Sequence, residues 1–187
     1  VSFIAEVAST FNETLLTKHL IAQAKDKAEK LYILNQLAES IRTTIYRQSM
    51  FAEFEMRIHN LHESGETLTA ELLSDTYSGL VRRYYGEAFT LGENDDIEWS
   101  YIPHFYWKFY VFNYATGLST GICLAQAVLD QGEPARKRYM EMLKSGSAYS
   151  PLDILRSAGA DLTKPDVIKA AADLLDATLD EMAALME

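Results

Sequence analysis

Trp99-Ser-Tyr-Ile-Pro-His-Phe-Tyr-Trp-Lys-Phe-Tyr-Val-Phe-Asn-Tyr-Ala-Thr-Gly117 concentrates aromatic side chains in one run, with a single histidine near its start. Pro103 disfavours the α region at Ile102, so the run is predicted to enter as an extended strap and become helical just afterwards. A helix from about His104 to Leu129 places Tyr106, Tyr110 and Tyr114 on one face, because they recur every four residues. Phe105, Phe109 and Phe112 then point elsewhere and serve as core anchors. Three phenols below an imidazole can form a row of hydrogen-bond donors facing a cleft. They can equally form a buried aromatic stripe whose hydroxyls find backbone partners.

Outward from this run, every long pattern is helical. Ile4, Val7, Phe11, Leu15 and Leu20 keep a helical period up to about Ala24–Asp26. A much longer pattern runs from about Lys27 to His62, with Leu31, Leu34, Leu37, Ile41, Ile45 and Phe51 as its stripe. At about 1.5 Å per residue it would be roughly 50 Å long and cross the whole domain. Gly65 suits a left-handed C-cap, and Thr69 an N-cap for a third helix reaching about Tyr85. Residues 86–100 read as a loop.

Gly117 and Gly121, four apart, would let another helix come close. A short helix is predicted over Ala135–Leu143. Ser150-Pro151 pairs an N-cap with proline at the first helical position, for a helix stopping near Gly159. Thr163-Lys-Pro165 opens the last helix. No stretch alternates long enough to be a strand, so the fold class is all-α, with residues 1–187 as a single helical domain.

Hydrophobic residues at 48% and charged residues at 24% describe an ordered chain with a sizeable core. A formal charge of −10 argues against nucleic acid or an anionic membrane as a main partner, since both require clustered Lys and Arg. Cys123 is the only cysteine and reads as a buried, inert thiol, which suits a reducing cytoplasm. No apolar run reaches membrane-spanning length. Val1 falls inside a helical pattern, from which a piece of a longer protein is expected.

Glu6 interrupts the apolar Phe3-Ile-Ala-Glu-Val-Ala8, and Glu13, seven residues on, shares nearly the same face. If that turn is buried, the Glu6 carboxylate needs a cation, an arginine or a metal. On a solvated helix edge it needs none. His59 and His62, three apart beside Glu63, and His19 read as surface features. No phosphate-binding glycine loop, Cys-x-x-Cys or nucleophile elbow is present.

Phe3-Ile-Ala-Glu-Val-Ala-Ser-Thr-Phe-Asn-Glu13, Phe51-Ala-Glu-Phe-Glu55 and Ile102–Gly117 together resemble oligoendopeptidase F. These are zinc metallopeptidases related to thimet oligopeptidase and neurolysin. The resemblance runs through the chain in order and includes Leu152-Asp-Ile-Leu-Arg-Ser-Ala-Gly159. It implies that Glu6 takes the place of the family's glutamate zinc ligand and that Glu13 orients a ligating histidine. It also implies that His104 and the tyrosines line the substrate groove. Tyr110 and Tyr114 would be oxyanion donors, with His104 and Tyr106 holding the peptide backbone.

The family's His-Glu-x-x-His motif is absent from this sequence. The resemblance therefore implies the C-terminal part of a catalytic domain, incomplete as a zinc site and inactive alone. Short peptides are the implied substrates. The alternative expectation is a non-catalytic helical module that binds a peptide or partner helix along its aromatic face.

Overall fold

Three helices begin where a short polar side chain can satisfy a backbone amide that the helix leaves unpaired. Asp26 accepts from the Glu29 amide, Thr69 from Leu72 and Ser150 from Asp153. Glycine supplies the stops. Gly65 and Gly159 take positive φ of 95° and 111° after their helices. In the computed structural model, which describes residues 2–187, all regular structure among the described residues is helical.

The α-helices are α1 (Val7–Gln23), α2 (Lys27–Ile41), α3 (Arg47–Glu63), α4 (Ala70–Tyr85) and α5 (Phe112–Gln131). They continue with α6 (Glu133–Lys144), α7 (Pro151–Ala158) and α8 (Asp166–Met186). A π-helical turn, Arg42–Tyr46, joins α2 to α3, so the long helix expected from Lys27 to His62 carries a local insertion. The predicted loop over residues 86–100 contains the start of a 3-10 segment, Asp95–Tyr101.

The chain forms two compact units. One comprises the chain up to Ile45 together with Asn113–Glu187; the other is Tyr46–Phe112.

In the first unit, Val7 and Phe11 of α1 join Leu124, Tyr139, Ile154, Leu155 and Val167 in one core cluster. The Phe11 and Tyr139 rings stack at 3.7 Å. Leu37, Ile41, Leu118, Ile122 and Ala171 make a second cluster. Between α1 and α5 the backbones nearly touch. A Cβ on Gly121 would stand 2.2 Å from Thr10 Oγ1 and 2.8 Å from the Phe11 nitrogen. The Thr10 hydroxyl lies within reach of its own helix at Glu6 O (2.7 Å) and of Gly117 O on α5 (3.2 Å). The close approach expected at Gly117 and Gly121 is therefore made with α1, and Gly121 is the position that requires it.

In the second unit, Phe54 and Tyr77 are fully buried and pack edge-to-face at 5.3 Å. Phe105 sits against Phe54 at 5.4 Å. Glu98 accepts from both Arg47 and the Tyr77 hydroxyl, tying its 3-10 segment to α3 and α4. Burial, reinforced by Glu98, pushes the Tyr77 phenol well above its ordinary range. Burial opposes ionisation of Glu53, yet Tyr84 at 2.8 Å and Arg57 at 2.6 Å hold its carboxyl below the usual range.

Gly121→Ala is expected to destabilise the protein by about 1–3 kcal/mol through overpacking against α1 backbone. Gly79→Ala, in an exposed turn of α4 with nothing within 4 Å of the added Cβ, should stabilise by roughly 0.5–1 kcal/mol. Urea unfolding of the two variants checks both signs. Asp161 provides an acid-side test. The Thr163 hydroxyl and amide, at 2.7 and 3.0 Å, with Arg156 beyond them, lower its carboxyl to about 2. Its folded value lies below the unfolded value of about 3.9, so its contribution is present above about pH 4 and fades as pH falls toward 2. Asp161→Asn should flatten that acid limb in pH-dependent unfolding.

Candidate active-site residues

Glu6 is the N-cap residue of α1, following the 3-10 turn Ser2–Ile4. Its side chain bonds no backbone amide at the helix start; instead Oε2 accepts the Ser9 hydroxyl at 2.6 Å. A negative group there is favoured by the partial positive charge of the helix N-terminus. The residue is exposed, so the buried carboxylate considered from sequence is not what this chain forms. Its aliphatic base nevertheless lies on α5, with Glu6 Cβ 3.7 Å from where a Gly117 Cβ would be. Tyr114, partly buried on α5, stands one turn before that glycine. Glu13 is exposed and borders an apolar groove of about 320 Å³ formed with Thr17, Tyr32, Gln36, Leu118 and Ile122.

The aromatic run differs most from its predicted form. Pro103–Trp107 is a 3-10 turn, Lys108 and Phe109 take positive φ of 38° and 54°, and α5 begins only at Phe112. Tyr106, Tyr110 and Tyr114 therefore do not share one helical face. The left-handed bend between Tyr106 and Tyr110 breaks the period that would align them. Phe109 and Phe112 are exposed and are not core anchors; Phe105 and the fully buried Val111 have that role.

The same bend folds three rings together in the second unit. His104 and Tyr110 lie nearly parallel, 6.1 Å apart with 17° between planes. Trp107 meets both edge-on, at 5.1 and 5.3 Å. Tyr106 projects away at 83% exposure.

Two successive left-handed residues without glycine cost about 1–2 kcal/mol each. The offset comes from α3. Glu55 Oε1 accepts the Phe109 amide at 2.5 Å, and leaving a buried amide unpaired would cost about 1–3 kcal/mol. Sequence reading missed this use of Glu55. The available signal was a glutamate four residues after Phe51 and three before Ile58, on the helix face that carries the apolar stripe. His59, read as a surface feature, is partly buried: Nδ1 meets Glu55 O at 2.7 Å and its ring packs on Phe109 at 4.6 Å. His62 and His19 are exposed, as expected. Burial pushes the Cys123 thiol upward, which agrees with an inert role.

Zinc sites draw on several nitrogen, sulfur or oxygen donors. Among the described residues, no group of three or more His, Cys, Asp or Glu side chains could hold a metal ion. Glu6, an exposed carboxylate of suitable hard-oxygen chemistry, fits as one ligand of such a site but not as the whole of it.

The matching family model, described as peptidase family M3, covers residues 1–174, and the chain belongs to that family. It is 46% identical over 184 residues to "Oligopeptidase PepF" of Bacillus subtilis (strain 168), covering 98% of this chain and 28% of that protein. It is 42% identical over 185 residues to "Oligoendopeptidase F, plasmid" of Lactococcus lactis subsp. cremoris, covering 99% of this chain and 31% of that one. The crystal structure of oligoendopeptidase-F from Enterococcus faecium superposes with a TM-score of 0.93 at 40% identity, over 99% of this chain and 36% of that one. This chain thus spans about a third of the length of its relatives. Among the described residues, no helix is long and apolar enough to cross a membrane.

Proposed function

We propose that this chain is the C-terminal part of the catalytic domain of a zinc-dependent oligoendopeptidase that hydrolyses internal bonds of short peptides in the cytoplasm. The observation that carries this reading is the collinear match to peptidase family M3 over residues 1–174. The exposed Glu6 carboxylate on the start of α1 supports it, because a ligand that completes its site with donors from other polypeptide must be accessible on this chain alone.

Glu6 would be the metal ligand contributed here, with Ser9 restraining its carboxylate, and Glu13 would orient a ligating histidine from outside this chain. Bound Zn²⁺ supplies a Lewis acid for the scissile carbonyl and lowers the pKa of a water. The roles of this chain's other residues are those the resemblance implies, and their hydrogen-bonding chemistry suits them. Tyr110 and Tyr114 donate phenolic hydrogen bonds to the oxyanion that develops at the carbonyl. His104 and Tyr106 hold the peptide backbone. The packing of His104 and Tyr110 against Trp107 restricts both rings before substrate arrives, which lowers the ordering cost of binding.

In the full-length enzyme, Tyr110→Phe and His104→Phe should each lower kcat about 100- to 1,000-fold with zinc content intact. Wild-type turnover in both would contradict their roles. Glu6→Gln should strip the metal, measured by elemental analysis, and full occupancy would remove Glu6 from the ligand set.

A further inference from the structure

Glu55, in the middle of α3, is 0% exposed. Its Oε2 is buried without a hydrogen-bond partner, while Oε1 accepts the Phe109 amide. A buried carboxyl group with one oxygen unsatisfied works against folding. The position therefore needs a reason beyond packing, and among the described residues the one hydrogen bond its side chain makes leads to the bend at Lys108–Phe109. The same turn of α3 holds that bend a second time, through the His59 ring on Phe109. His59 is itself fixed by Nδ1–H donation to the Glu55 carbonyl.

On either side of the bend stand the two nearly parallel rings, His104 and Tyr110. Without a tie at the Phe109 amide, two consecutive left-handed residues would relax toward ordinary backbone and carry Tyr110 away from His104. We infer that Glu55 is a positioning residue. Its Oε1 fixes the Lys108–Phe109 bend, and the bend sets the placement of the His104 imidazole and Tyr110 phenol. The catalytic consequence rests on the roles proposed above for those two rings; the structural consequence does not.

Glu55→Leu and Glu55→Gln in the full-length enzyme separate the acceptor from the charge, since glutamine keeps an oxygen for the Phe109 amide. Two readouts are needed: amide hydrogen exchange at Phe109 against that of α3 and α4, and kcat with KM for a short peptide. Glu55→Leu should speed exchange at Phe109 roughly tenfold or more, the order set by losing one buried hydrogen bond, with α3 and α4 unchanged. It should lower kcat by a similar factor with KM within about twofold. Glu55→Gln should retain wild-type protection and kcat.

Wild-type exchange at Phe109 in Glu55→Leu overturns the proposal; so does wild-type kcat beside a released Phe109 amide when His104→Phe and Tyr110→Phe lower kcat, whereas if they do not, the roles of the two rings fail instead. Should Glu55→Leu fail to fold, Glu55→Ala, which removes the acceptor without an added branch, takes its place: faster Phe109 exchange supports the tie, and wild-type exchange overturns it. An inactive wild-type enzyme would instead defeat the peptidase reading, leaving the exchange comparison to judge Glu55.

Discussion

The contact between Thr10 on α1 and Gly121 on α5 sets the geometry of the first unit. With no side chain at Gly121, α5 comes so near that the Thr10 hydroxyl and Phe11 nitrogen occupy the space a methyl group would need. That separation lets Phe11 reach Tyr139 while Leu118 and Ile122 join Leu37 and Ile41 in the neighbouring cluster. Glu6 inherits its position from the same crossing. It starts α1 one turn before Thr10, and its Cβ rests beside Gly117. A helix spacing wider by one methyl would move the carboxylate proposed above as a metal ligand.

The second unit is organised by acids instead. Glu53, Glu55 and Glu98 are each tied to a different element, and the partners differ in kind. Glu98 joins an arginine and a phenol, and Glu53 two arginines and a phenol. Glu55 alone spends its bond on backbone. Charged pairs at partly exposed positions contribute modestly and fix geometry more than they add stability. A buried carboxyl that holds a strained bend does the reverse: it forgoes stability to keep one segment in a conformation that its residues disfavour.

Peptidase family M3 matches residues 1–174, and about a third of a relative's length is present here. Of the residues matched by resemblance, Glu6, His104, Tyr106 and Tyr110 fall at element ends and bends, while Glu13 and Tyr114 lie within α1 and α5. Glu6 is a helix cap, His104 follows a proline in a 3-10 turn, and Tyr110 follows a left-handed pair.

The order of helices and most of their ends were legible because local signals set them. Asp26, Thr69 and Ser150 cap, Gly65 and Gly159 terminate, and the apolar period marks the faces. The all-α class follows from the same short-range physics; the small-residue spacing at Gly117 and Gly121 was legible too, but the need for it at Gly121 comes from the crossing with α1. The shape of 103–111 was not legible, because its tyrosines keep a helical spacing that the backbone does not follow. Lys108 and Phe109 have no intrinsic preference for positive φ, and the groups that meet Phe109, the Glu55 carboxyl 54 positions away in sequence and the His59 ring, are both delivered by α3. Local periodicity and capping are properties of neighbouring residues and can be read from them. A bend stabilised by a distant buried acid exists only once the chain has folded.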